Sequence, residues 1–216
     1  MTTRTAHPDA HRAMRADAQR NRDKLVEVAA IAFARDGIDT SLEDIARTAE
    51  VGIGTLYRHF PSRDALLEAV FRHNVDDIAG QADELLETLP ADQALAEWMS
   101  RFVRYVATKK GLATHLKSVV SHDAEIFAYS HDRMDTTMRR MVETGQKQGT
   151  IRLDVDYHDV LKGLSGVCMM SDVPGWQDQA CRVSGLLMDG LRYGVSTPAK
   201  SKPKAKAKAK AQRKSA

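Results

Sequence analysis

The sequence has few features of secreted, membrane-spanning or disulfide-bonded proteins. It contains only two cysteines in 216 residues, too few for a disulfide framework. No apolar run approaches the roughly 20 residues that a membrane-spanning helix needs. The first eighteen residues carry His, Arg and Asp without an apolar core, so they do not resemble a secretory signal. These absences predict a soluble, cytoplasmic protein with no membrane partner.

Motifs that carry catalysis or bind metals are also missing. The chain has no Gly-x-Ser-x-Gly, GxGxxG, Walker-type loop or Cys-x-x-Cys. His115, His122 and His131 have no compact metal-ligand spacing. We interpret Cys168 and Cys181 as buried apolar side chains on helices, with a redox sensor as the alternative. We therefore expect no enzyme, no metal site and no cofactor.

Helical periodicity dominates the chain from about Ala18 to Tyr193. It predicts an all-α fold of about nine helices. Ile151–Asp156 is the one strand-like stretch, and it is interpreted as an extended linker because it is short and has no partner. Helices are predicted over Ala18–Arg35, from Ser41, over Ile53–His59, from Ser62, and over Asp92–Lys109, Leu112–Ser121, Asp123–Lys147, Tyr157–Met170 and Gln177–Tyr193. The breaks between them are predicted at Gly37, Gly111, Gly149 and Pro174–Gly175.

Residues 41–60 form two short helical segments joined by a glycine-containing turn, a pattern typical of a helix-turn-helix. Ser41 is predicted to cap the first helix, since it approximates a capping box with Asp44, and the turn is predicted at Val51–Gly52. Leu56 and Phe60 are four residues apart, so they share one face of the second helix and are expected to hold it against the rest of the module. A helix-turn-helix lays its second helix in the major groove of DNA, which makes DNA the expected partner.

The other side chains of that second helix are expected to point outward. None of Gly54, Thr55, Tyr57, Arg58 and His59 is acidic, which suits a polyanion. Gly54 would let the backbone approach the duplex, and Thr55 could meet a phosphate or a thymine methyl group. Arg58 could pair with guanine O6 and N7, with a phosphate contact as the alternative. Tyr57 and His59 suit phosphate contacts, unless they are plain surface residues.

The stretch Thr40–Leu66 resembles the TetR family of bacterial repressors, and the resemblance extends over roughly Arg20–Arg72. One departure is Ile53, where many members have a polar capping residue, so Gly52 would cap the helix instead. The resemblance implies that Thr40 and Ser41 meet a phosphate at the start of the first of the two helices. It also implies that Arg63 meets the DNA backbone.

The same resemblance implies a two-part organisation. A DNA-binding domain would cover residues 18–64, and a helical domain that dimerises and often binds a small molecule would cover 65–195. Glycines at Gly163, Gly166 and Gly190 would allow a close approach between subunits, unless the stripes around them are an intramolecular core. The homodimer is expected through the last two helices, by apolar stripes formed by Val160, Leu164, Val167, Cys168, Val183, Leu186, Leu187 and Leu191.

The central helices carry candidates for a small-molecule site because they combine apolar bulk with a few polar tips. Plain core packing is the alternative for any one of these residues. The candidate residues are Trp98, Phe102, Tyr105, His115, Phe127, Met134, Met138 and Met169. The resulting prediction is a homodimeric repressor of a double-stranded DNA operator, released by a small apolar or amphipathic effector. A ligand-independent regulator, an activator or a helical protein-interaction module are the alternatives.

Both ends of the chain are predicted to be disordered, the arm over 1–17 and the Lys/Ala-rich tail over 196–216. From Lys200 to Lys214 the tail holds seven lysines, one arginine and no acid. These eight charges exceed the net charge of +3, so the remaining residues carry −5. The tail would add salt-sensitive, sequence-independent attraction to DNA, with a purely solubilising role as the alternative.

Overall fold

The computed structural model describes residues 8–119, 125–169 and 174–194, and every regular element in those ranges is a helix. The predicted all-α class is therefore confirmed. Residues 1–7 of the predicted arm, His122 and the predicted tail lie outside the described residues. The helices are α1 Pro8–Asp36, α2 Leu42–Thr48, α3 Ile53–His59, α4 Arg63–Thr88, α5 Ala91–Val119, α6 Glu125–Gln148, α7 Tyr157–Met169 and α8 Trp176–Arg192.

Helix α1 begins at Pro8, so residues 8–17 are helical where the sequence predicted disorder. The apolar periodicity of α1 begins only at Leu25, and a polar helix gives no such pattern. Side-chain pairs one turn apart support this polar part. The Gln19 amide donates to the Asp23 carboxylate at 2.7 Å, and Arg20 pairs with Asp17.

The turn between α2 and α3 contains Val51 and Gly52, as the sequence predicted. Its left-handed residue is Glu50, with φ 54, whereas Gly52 has an ordinary φ of −63 and is the N-cap of α3. A side chain at positive φ is unfavourable by itself. Here the Glu50 carboxylate accepts a hydrogen bond from the Lys24 ammonium at 2.6 Å, which ties the turn to α1.

Helix α5 runs unbroken through Gly111, where the sequence predicted a break between two helices. A glycine inside a helix costs only about 1 kcal/mol relative to alanine. The next two inward residues, Leu112 and Leu116, are buried. Burying a leucine contributes about 1.5–3 kcal/mol, which outweighs the glycine.

Helix α4 belongs to both halves of the protein. Its first turn contacts the loop between α1 and α2, and its later turns pack against α5 and α6. The core of the second half is centred on Trp98, which is fully buried and donates its indole N–H to the carbonyl of Ile78 at 2.8 Å. None of the described helices is long and apolar enough to cross a membrane.

The predicted dimer stripe on the last two helices, α7 and α8, contains both buried and accessible residues. Val160, Leu164, Cys168 and Leu191 are buried inside the protomer, so they are core residues and not the dimer contacts that the sequence predicted. The rest of the stripe stays accessible. Leu186 is 70% exposed, and the half-buried members are Val167, Val183 and Leu187.

Candidate functional site

Helix α3 has one buried side and one accessible side. Leu56 and the following Phe60 are buried, as the sequence predicted. Tyr57 is 45% exposed, Arg58 is exposed, and His59 is half-buried. The first turn contains no acidic residue. The accessible side is therefore free of acids, and its tyrosine and arginine suit phosphates and base edges.

Gly54 lies on this accessible side without a packing reason to be glycine. A methyl group built there would meet no atom of the described residues within 4 Å. The backbone conformation is helical, so no positive φ requires glycine either. A glycine is disfavoured in a helix unless something needs the backbone to be bare. The open space at Gly54 fits the close approach of an external partner.

Thr40 and Ser41 are accessible, but their hydroxyl groups already have partners within the protein. The Thr40 hydroxyl donates to the carbonyl of Gly37 at 2.7 Å. The Ser41 oxygen accepts from the backbone N–H of Asp44 at 3.2 Å and donates to Glu43 at 3.0 Å. Ser41 thus caps α2, as the sequence predicted. A phosphate contact by either residue stays a prediction.

Arg63 uses one terminal nitrogen of its guanidinium to bind the protein's own backbone. Its Nη1 atom donates to the carbonyl of Ile38 at 2.9 Å and to that of Thr40 at 2.6 Å. These bonds fasten the start of α4 to the loop before α2. Arg63 therefore positions the module, and its expected contact with the DNA backbone stays a prediction.

A cavity of about 720 Å³ lies between α4, α5, α6 and α7. Five of the eight predicted ligand residues line it, namely Phe102, Tyr105, Phe127, Met134 and Met169. The remaining wall includes Phe71, Val75, Val106, Lys109, Ala113, Thr114, Ser130, His131, Asp132, Asp135, Leu161, Ser165 and Cys168. An apolar wall with several polar groups is typical of small-molecule sites.

Three predicted ligand residues lie away from this cavity. Trp98 is core, stacked on Phe102 with ring centroids 5.3 Å apart. Met138 is fully buried core. The Nε2 atom of His115 lies 3.3 Å from the carboxylate of Asp64, so His115 links α5 to the first turn of α4. Helical periodicity could not distinguish core residues from residues of the cavity wall, because the side chains of both groups are mainly apolar and point into the protein.

Two polar groups of the cavity wall lie one helical turn apart on α5. Burial raises the pKa of Tyr105 to about 12. Burial also lowers the pKa of Lys109, an effect that the carboxylate of Asp77 partly opposes. Both shifts reflect the loss of water around these groups. A ligand that lies here would find a hydroxyl and an ammonium in a mainly apolar surround.

The cysteines differ from each other. Cys168 is buried as predicted, and burial, with a smaller contribution from Cys181, raises the pKa of its thiol to about 11. A thiol with so high a pKa is a poor nucleophile at neutral pH. Cys181 is exposed, which corrects the predicted burial. Among the described residues, no three His, Cys, Asp or Glu side chains cluster as a metal site requires.

Comparison with known proteins agrees with both halves of this arrangement. Residues 25–70 match the family described as "Bacterial regulatory proteins, tetR family". Residues 90–193 match "Transcriptional regulator SbtR-like, C-terminal domain". A solved TetR transcriptional regulator from Streptomyces coelicolor is 37% identical, with a TM-score of 0.67, over 79% of this chain and 98% of that one.

The chain belongs to the TetR family of transcriptional regulators. A TetR regulatory protein from Mycobacterium vanbaalenii is 32% identical with a TM-score of 0.65, covering 83% of this chain and 99% of that one. The HTH-type transcriptional repressor KstR2 of Rhodococcus jostii is 28% identical over 145 residues, 62% of this chain and 70% of that protein. The resemblance that the sequence carried at residues 40–66 is confirmed.

In this TetR-family regulator, the structure brings to both sites several residues that the sequence patterns do not identify. Arg22 of α1 lies over the ring of Phe60, 5.3 Å from its centroid, beside the end of α3. Phe71 and Val75 of α4 line the cavity. Arg22 precedes the apolar pattern of α1, and the two α4 residues look like ordinary core. A search for basic residues just before the first buried turn could have found Arg22.

Proposed function

We propose that this TetR-family regulator is a homodimeric repressor that binds a double-stranded DNA operator through α3 and is released by a small apolar or amphipathic effector. The observation that carries the DNA part is the division of α3 into a buried side and an acid-free accessible side. Arg58 is the main candidate for base readout. Thr55, Tyr57 and His59 are candidates for phosphate or methyl contacts, and Gly54 permits the close approach.

Selection of bound sequences from random duplex DNA tests the proposed DNA binding. The wild-type chain should enrich a two-fold symmetric site, and the double variant Y57A/R58A should lose binding to it while its helical circular dichroism stays unchanged. The control R104A removes an exposed arginine from α5, far from α3, and should bind like wild type. Normal binding by Y57A/R58A would mean that these residues do not carry the DNA contact, and a wild-type chain that enriches no site would favour a protein-interaction module.

The proposed homodimer has a physical motive and a candidate surface. One seven-residue helix reaches few base pairs, whereas a two-fold dimer reads two half-sites about 34–36 Å apart or a multiple of that. The surface is the accessible part of the α7–α8 stripe, centred on Leu186. A methyl group built at Gly166 or Gly190 would meet no described atom of the protomer within 4 Å, which leaves room for a second subunit.

The proposed release by an effector rests on α4. Phe71 and Val75 of α4 line the cavity, and the same helix carries Arg63, which holds the loop before α2. Phe71 lies eight residues beyond Arg63, about 12 Å along the helix. A ligand that displaces the Phe71 end would therefore move the module. It would release DNA only if it binds the non-DNA conformation more tightly.

A cavity-filling variant tests the effector part. Thermal-shift screening of apolar and amphipathic compounds should find ligands that stabilise the wild type and weaken its operator binding. V106W, which places a large side chain in the cavity wall, should lose the response and keep DNA binding. The control L153W adds the same side chain at an exposed position and should keep both. DNA binding that no stabilising compound weakens would favour a ligand-independent regulator.

A further inference from the structure

The polar N-terminal part of α1 is a second feature that needs a partner. Residues 14–24 are all solvent-exposed, although they form three turns of regular helix. Its contacts with other elements are at residues 22 and 24, near its C-terminal end, and a helical segment with so little packing is marginal in water. Its two local pairs, Arg20 with Asp17 and Gln19 with Asp23, contribute only about 0.2–0.5 kcal/mol each. A surface that binds this segment would supply the missing stabilisation.

The charges of this segment are sorted by face. Arg15, Gln19 and Arg22 follow one another at steps of four and three residues, and the same row continues into the buried residues Val26, Ala29 and Phe33. The opposite row carries Asp17, Arg20, Lys24 and Glu27, all exposed, so its two cations are balanced by two acids. The face that is core further along the helix is therefore cationic and free of acids over residues 15–22.

The contacts of α1 indicate where this cationic face lies in the protein. At its C-terminal end, Ala34 lines a small cavity together with Thr108 of α5, so this end borders the second domain. In its middle, Arg22 lies over the ring of Phe60, at the end of α3. Going toward the N-terminus, the helix therefore leads away from the second domain and past α3. Arg15 lies seven residues before Arg22, about 10 Å further out.

We infer that residues 15–22 of α1 are a second DNA-contacting surface, which lies along the phosphate backbone beside the groove that α3 enters. The inference rests on the DNA binding proposed above. Arginine pairs well with phosphate through its planar, multiply donating head group. Arg15 and Arg22 would supply sequence-independent contacts that extend the bound stretch of duplex and fix the angle of the module, without reading bases.

The structure offers a matched pair of substitutions for the test. R15Q removes one charge from the cationic row, and R20Q removes the same charge from the opposite row, five residues away. Each variant is compared with wild type in the full chain, by operator affinity as a function of salt and by hydroxyl-radical footprinting. Each lost phosphate contact should reduce the magnitude of the slope of log K against log salt by about 0.9.

R15Q should show this smaller slope, and R15Q/R22Q should show about twice the change and lose protection at the outer edge of each half-site. R20Q should keep the wild-type slope and footprint, and no variant should change the selected sequence. Equal slopes for R15Q and R20Q would overturn the inference, as would a change in dimer dissociation with unchanged footprints. A wild-type chain that binds no DNA would instead refute the proposed function itself.

Discussion

Helix α3 and the cavity between α4 and α7 use their side chains in opposite directions. α3 buries Leu56 to hold its place and turns Tyr57 and Arg58 outward. The cavity is built from residues such as Phe102 and Phe127, which face inward and also belong to the core. Substitutions on α3 can therefore separate stability from function, whereas substitutions around the cavity change both together.

The two sites also differ in how far apart their residues lie in the sequence. The residues of α3 are neighbours in sequence, and their roles depend on one short helix. The cavity wall comes from four helices that are distant in sequence. Its shape depends on how those helices pack, so a small shift of one of them changes the site. This makes α4 the natural link between the two, because it carries part of the wall and its first turn holds the loop before α2.

The largest effect is expected for L56A. Its side chain is fully buried between α3 and the rest of the module, and truncating such a leucine costs about 2–5 kcal/mol in the free energy of unfolding. Y57A, on the next residue, should change that free energy by no more than about 0.5 kcal/mol. Urea denaturation measures both. If Y57A destabilised the protein as much as L56A, the two sides of α3 would not be separate.

A smaller effect is expected for R63A, which tests whether this residue positions the module. Hydrogen bonds from a charged donor contribute about 1.5–3 kcal/mol, so the loss of those to Ile38 and Thr40 should lower the free energy of unfolding by a similar amount. The slope of operator affinity against salt should stay as in wild type. A slope smaller by about 0.9 with unchanged stability would instead support the expected phosphate contact.

Much of the N-terminal module could be predicted because its determinants are local. Ser41 caps α2 as expected, and Leu56 and Phe60 are buried because they lie four residues apart on one face. The role of Arg63 could not be predicted, since its partners are backbone carbonyls more than twenty residues earlier. The left-handed Glu50 was missed for a similar reason: its carboxylate is bound by Lys24 of α1, not by a neighbour in the turn.

The second domain was predictable as a set of helices but not as a site. Apolar periodicity located α6, α7 and α8 to within two residues at most of their ends, because amphipathic helices repeat their pattern. It could not tell Met134, which lines the cavity, from Met138, which is core one turn later. That distinction depends on the gap between helices. The helical structure of residues 8–17 in α1 was not predicted, because these residues have no apolar pattern.

A glycine in each region sharpens the comparison further. G54A adds a methyl group where α3 is open, so the free energy of unfolding should rise by about 0.5–1 kcal/mol, as glycine is unfavourable in a helix. Operator affinity should fall by about tenfold, which corresponds to roughly 1.4 kcal/mol, if DNA approaches this backbone closely. Thermal unfolding and a binding titration measure the two quantities. An unchanged affinity would mean that no partner comes close to Gly54.

The smallest effect is expected for G111A, the matched change in the second domain. Gly111 also lies inside a helix, and a methyl group there would meet no described atom within 4 Å. The free energy of unfolding should again rise by about 0.5–1 kcal/mol, because the same backbone freedom is removed from the unfolded chain. Operator affinity should not change, since Gly111 lies on α5, away from α3. A stabilised G111A that no longer responds to an effector would instead identify Gly111 as a point where α5 must bend, and the second domain would then have a functional glycine of its own.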